Sequence, residues 1–204
     1  MGLFDDLKRQ AENFLKAQTG QAVNSAASVV KSAASNSGKT KTVTLSAMPK
    51  SANEMRAMGE FNLCDPYAVA AFAVCALNCY PTDRDATKEM MNVLKGPEPL
   101  STRELQFIND RFMDTKGYVT RSYFSGTSPD NDYTVSAPYT VTIIEYSNSR
   151  ENEGYLRLFL KSTGADSPRP VVLRHKPSTN EWFIWEFESL LSGVRAPKST
   201  DKWA

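Results

Sequence analysis

Asp65-Pro-Tyr-Ala-Val-Ala-Ala-Phe-Ala-Val-Cys-Ala-Leu-Asn78 is the stretch on which the fold turns. Asp65 is a helix N-cap type, and Pro66 stands at the first helical position, where a missing N–H costs nothing. The residues that follow are apolar on nearly every side. Such a helix is stable in water only when it is surrounded, so it should run through the centre of a domain. Its most apolar part, 67–77, is far below the roughly 18 residues that read as a membrane span.

Helices flank it on both sides. Pro81 stops the central helix, and Thr82 or Asp83 caps another that reaches Leu94 with Met90, Met91 and Leu94 inward. Lys95-Gly-Pro-Glu-Pro99 reads as a rigid loop. Ser101 and Glu104 have capping-box spacing and open a helix to about Met113, with Leu105, Phe107 or Ile108, and Phe112 inward. Upstream, Ser51 and Glu54 repeat that spacing before a short helix that Gly59 ends, and 42–46 is rich in β-branched residues and reads as a strand.

Strands dominate the second half. They are expected at 118–124, 139–146, 155–162, 169–175 and 182–187, with Pro177–Asn180 turning the last pair into a hairpin. Phe183, Trp185 and Phe187 alternate onto one face, the surface expected to receive the central helix, with Val69 and Phe72 as its contacts. Trp182 and Ile184 take the other face. Helices first and strands after predict an α+β fold with an antiparallel sheet of about five to six strands in a single domain over 41–204.

The first forty residues have a different character. Leu3, Phe4, Leu7, Ala11, Phe14 and Leu15 recur at spacings of three and four, one apolar stripe on a separate N-terminal amphipathic helix over 1–19. Residues 20–40 turn to Ala, Ser, Asn and Gln and read as a linker or a weak helix. The stripe needs cover, so Leu3, Phe4, Leu7, Phe14 and Leu15 are the candidate interaction surface. The other face carries three acids and three bases, whereas interfacial membrane helices prefer a basic one. A protein partner or a second copy is therefore expected ahead of a membrane surface.

Composition excludes further classes. Lys and Arg number 24 against 23 Asp and Glu, without the basic excess of a dedicated nucleic-acid binder, so no nucleic acid is expected. Asp5 and Asp6 stand where a secretory signal needs bases, and Asp6 replaces the Ser or Thr of a myristoylation signal. With three cysteines, Cys64, Cys75 and Cys79, the reading is cytoplasmic with reduced, buried, inert thiols.

Little points to catalysis. Ala33 to Thr40 fits a loose phosphate-loop pattern, but the strand follows it instead of preceding it, so the match reads as accidental. No Gly-x-Ser-x-Gly elbow occurs. The single histidine, His175, sits between Arg174 and Lys176 near a hairpin end and reads as a surface residue. Glu145 and Asp166 read as edge and loop residues. Lys31, Lys39, Lys41 and Lys50 read as a solvated tether. No catalytic, metal or cofactor-binding residue is assigned and no cofactor is expected. The alternative to an association protein is a small-molecule binder or enzyme with a cleft between helices and sheet, for which Tyr123, Asp166, Arg169 and Arg195 are the candidate polar groups.

Lys95-Gly-Pro, Tyr123-Phe-Ser-Gly, Asn131-Asp-Tyr-Thr134, Leu158 to Pro170, and Trp182 with Trp185 carry a resemblance, and the closing Asp201-Lys-Trp-Ala204 fits it too. From about Thr42 onward the chain resembles an uncharacterised family of bacterial single-domain proteins, a domain of unknown function found largely in Firmicutes. The resemblance implies a bacterial cytoplasmic protein and brings no activity, cofactor or catalytic residue. Separately, helices followed by a curled sheet with a closing Trp hairpin are similar in outline to the cone-shaped nuclear-transport-factor-2-like fold. That is an analogy of shape alone.

Overall fold

A strand that pairs along its whole length opens the structure. The computed structural model describes residues 38–113 and 116–200; the N-terminal stripe and the segment up to Ser37 lie outside the described residues. Strand β1, Lys39–Leu45, runs antiparallel to β2, Tyr139–Glu145, from Lys39 opposite Glu145 to Leu45 opposite Tyr139. It begins two residues ahead of the expected domain boundary. Lys39 and Thr40 are therefore strand residues, not part of a phosphate loop or a tether.

Three further strands follow by hairpins: β3, Tyr155–Leu160, β4, Arg169–Lys176, and β5, Glu181–Glu186. All pairings are antiparallel and the spatial order is β1-β2-β3-β4-β5, a meander of five strands with β1 and β5 at its edges. Asn180 takes a positive φ of 55° in the β4–β5 turn, a conformation that asparagine tolerates.

Helices cover one face. Helix α1, Ala52–Ala57, is capped by Ser51, whose hydroxyl accepts from the Glu54 amide, while the Glu54 carboxylate takes the Lys50 amide. Helix α2, Pro66–Asn78, is capped by Asp65, and every residue from Tyr67 to Leu77 is buried. The expected central helix is thus present. Helix α3, Arg84–Lys95, is capped by Asp83, and α4, Thr102–Phe112, by a complete Ser101–Glu104 capping box. The core between layers is solid: Phe72, Met90, Leu158 and Leu173 are each fully buried.

Two expectations fail for identifiable reasons. Residues 118–124 are not a strand. Tyr118–Arg121 form a short helix, α5, and only Phe124 bridges to Val141. The β-branched Val119 and Thr120 mislead: backbone bonds close the turns, Ser122 N–H to the Tyr118 carbonyl at 3.1 Å and Tyr123 N–H to the Thr120 carbonyl at 3.3 Å, and the polar side chains find carbonyls within the same segment. Thr120 donates to the Gly117 carbonyl at 3.1 Å and Ser122 to the Val119 carbonyl at 2.7 Å.

The second failure concerns β5. Val172 opposes Glu186 and Leu173 opposes Ile184, so Trp185 is an extra residue in a β-bulge. Strict alternation breaks there. Ile184 and Phe187 belong to the helix-covered core, and Trp182 packs against it. Phe183 is buried instead beneath Gly96, and Trp185 lies against Tyr155 and Arg174 on the opposite face.

Candidate functional site

Polar side chains gather at the end of the sheet nearest the start of α2. Lys41 on β1 donates to Asp65 at 2.7 Å, and its ammonium lies 4.6 Å from the centre of the Tyr67 ring. The Tyr67 hydroxyl donates to the Glu145 carboxylate at the end of β2. Arg150 donates to the other Glu145 oxygen at 2.6 Å, and its guanidinium stands 5.8 Å over the Trp182 ring. His175 stacks on Trp182 with 4.6 Å between ring centres, and its Nε2 pairs with Asn180 at 3.0 Å.

Electrostatics follow from that geometry. Burial, then the bond to Glu145, pushes the Tyr67 hydroxyl up to about 12. Burial alone would raise Glu145, but the bonds from Arg150 and Tyr67 outweigh it and hold the carboxyl below its ordinary value. Each acid here has a donor, so the arrangement works as a clamp between α2, β1 and β2. Sequence reading placed Glu145 as a strand-end residue. The one usable signal was the tyrosine immediately after the Asp65-Pro66 cap, which fixes where its hydroxyl emerges.

The four residues singled out for a cleft lie about the C-terminal segment. Tyr123 is buried and donates to the Leu190 carbonyl at 2.9 Å, and burial pushes its hydroxyl well above the ordinary value. Arg169 donates from Nε to the Ser192 carbonyl at 3.1 Å and from a terminal nitrogen to the Gly193 carbonyl. Arg195 pairs with Asp166 at the exposed surface, and its carbonyl accepts from Tyr133 at 2.9 Å. Arg169, Arg195 and Asp166 thereby tie residues 192–195 to the segment before β4. Tyr123 also lines a shallow groove of about 220 Å³ with Ser125, Thr142 and Lys161.

The thiols divide by position. Cys75 is buried in α2, and burial pushes its thiol far up; Cys79 is half-buried and raised for the same first cause; Cys64 is exposed, contrary to the expectation that all are buried.

Opposite the helices, the sheet is open and half-buried aromatic. Tyr146 meets Phe159 edge to face at 4.8 Å, and Tyr155 meets Trp185 at 5.8 Å. The Arg174 guanidinium lies 4.9 Å from the Trp185 ring centre and 5.8 Å from that of Tyr155, and Arg174 also donates to Glu98 at 3.3 Å. At the β5 edge, where the 95–98 loop crosses beside this face, a groove of about 310 Å³ opens. A broader depression of about 550 Å³ lies between α1 and α3, with Arg56, Phe61, Glu89 and Val93 among its walls.

Among the described residues, no group of three His, Cys, Asp or Glu side chains is placed to hold a metal ion, and no helix is long and apolar enough to cross a membrane.

An antiparallel meander with helices on one face and an aromatic open face defines an α+β protein. The chain belongs to a family defined by a domain of unknown function, DUF6935, whose model matches residues 47–198. No curated protein and no solved structure matches it.

Proposed function

We propose that this is a non-catalytic, cytoplasmic association protein. Its N-terminal segment, 3–17, forms an amphipathic helix whose apolar stripe engages another protein surface, in the first instance a second copy of the chain. The observation that carries the reading is the stripe of Leu3, Phe4, Leu7, Phe14 and Leu15, placed ahead of a body that is a compact unit from Gly38 onward. The filled space between helices and sheet supports it, because a cleft there would have favoured a ligand or a substrate. The mixed charge of the polar face favours protein over membrane.

Light scattering of the full chain over a range of concentrations tests the reading. The mass should rise above the monomer with concentration. Phe14→Asp in the full chain, and a chain starting at Gly38 so that β1 stays whole, should both remain monomeric. A full chain that stays monomeric throughout would defeat self-association. Sedimentation with anionic vesicles that is lost on Phe14→Asp would move the stripe to a membrane.

A further inference from the structure

The groove at the β5 edge joins shape, aromatic walls and unbalanced charge. Its volume of about 310 Å³ lies at the low end of ligand pockets. One wall is the loop after α3. Gly96 has a φ of 63° there, and a Cβ at that position would overlap the Phe183 ring, so glycine alone lets the backbone sit so close. Pro97, Pro177 and Trp185 line the groove with it.

The charges around the groove are unequally used. Lys95 is engaged by Glu104 at 2.6 Å. Arg174 is held by Glu98 at 3.3 Å while lying over Trp185. Lys176 lines the groove half-buried and has no ion pair among the described residues. Its cross-strand neighbour Glu181 accepts the Thr179 hydroxyl at 2.6 Å instead. Glu98 is the one acid lining the groove, against Lys95, Arg174 and Lys176. A cation beside apolar walls attracts an anion more strongly than one in open water, because the local dielectric is lower.

We infer that this groove binds a small planar ligand bearing a carboxylate, its ring against Trp185 and Phe183 and its carboxylate at Lys176, with Arg174 beside it. The inference goes beyond the association reading and uses none of residues 3–17. A neutral ring would keep the stacking and lose the ion pair. A cationic ring would meet like charge.

The test is a saturation-transfer NMR titration of the full chain with three probes: 2-naphthoate, naphthalene-2-methanol and 2-naphthylmethylammonium. The carboxylate should bind about tenfold more tightly than the alcohol, equivalent to about 1.4 kcal/mol, and the ammonium most weakly. Lys176→Ala and Lys176→Gln should each remove the preference for the anion while leaving the alcohol's affinity unchanged. Lys198→Ala, at a cation paired with Asp130, should leave it intact. Equal binding of carboxylate and alcohol, absence of saturable binding by all three, or a preference that survives both Lys176 variants would each overturn the assignment.

Discussion

Tyr67 and Glu145 are 78 residues apart in sequence, and the tyrosine hydroxyl donates to the glutamate carboxylate. That bond joins the first turn of the central helix to the last residue of β2, at the point where β1 begins its pairing with β2. Arg150 approaches the same carboxylate from another side, so removing the tyrosine hydroxyl does not orphan Glu145.

Tyr67→Phe should therefore lower stability by about 1.5–3 kcal/mol, the usual worth of a hydrogen bond to a charged group, read as a shift of the urea midpoint. The alkaline limb carries the sign. The folded value of about 12 lies above the ordinary 10.0, so the hydroxyl's contribution is whole below 10.0 and is lost as pH rises from there towards 12. A wild-type advantage over Tyr67→Phe that stays constant from neutral pH to pH 12 would contradict this account.

Lys95 and Glu104 form the other partly enclosed pair, with side chains 7% and 16% exposed. Burial would raise the Glu104 carboxyl, but bonds from Lys95 and Ser101 overcome it and hold the group below its ordinary 4.5. A depressed folded value stabilises the protein above the unfolded value and is lost as pH falls through the folded one. Stability should fall below pH 4.5 in wild type. Glu104→Gln should remove part of that fall and cost about 1–3 kcal/mol at neutral pH, since it leaves the Lys95 ammonium without its anion. Midpoints measured from pH 7 to pH 3 check both; parallel curves for the two proteins would sink the explanation.

Sequence reading was strongest where local chemistry acts alone. Asp65, Asp83, Ser101 and Glu104 announce their helices through cap geometry within three residues, and β2 to β5 follow β-branched and aromatic runs between turn residues. It was weakest where a distant partner decides. Nothing near Glu145 reveals Tyr67, and nothing near Arg169 reveals the carbonyls of Ser192 and Gly193. Residues 118–121 have strand-like composition, yet backbone bonds from Ser122 and Tyr123 close helical turns and the Thr120 and Ser122 hydroxyls bond to carbonyls of the same segment. Period-two patterning grouped Phe187 with Phe183 and Trp185 on one helix-facing surface, because one inserted residue is invisible in an alternating run; the bulge sends Phe187 to the core and leaves the other two on the opposite face.

The three cysteines should react in order of exposure. At pH 8 in native protein, a thiol-specific disulfide reagent should modify Cys64 quickly and Cys79 slowly. Cys75 should stay unmodified, because its surroundings disfavour the thiolate that attacks. In denaturant all three should react. Cys64→Ser should remove the fast phase and nothing else. Native labelling of Cys75 at a rate comparable to Cys64 would mean that α2 is not the enclosed helix described.

Phe72 and Trp185 sit on opposite faces of the sheet, and their truncation should differ accordingly. Phe72 lies in α2, is fully buried, and meets Phe61 edge to face at 5.3 Å. Its neighbours belong to a close-packed cluster that cannot collapse freely into the space a phenyl ring leaves. Phe72→Ala should cost about 3–5 kcal/mol, a large share of a domain's whole stability. Trp185 is half-buried on the open face, against Tyr155 and beneath the Arg174 guanidinium. Its removal opens that surface to water instead of creating an internal void. The losses are partial burial, one aromatic contact and one cation–ring contact, each worth about 0.5–1.5 kcal/mol, so Trp185→Ala should fall short of Phe72→Ala by at least half. Iodide quenching of native fluorescence should drop on Trp185→Phe, since an indole that borders solvent has been removed. Urea midpoints showing Trp185→Ala to be as damaging as Phe72→Ala would return Trp185 to the helix-facing core and refute its placement on the open face.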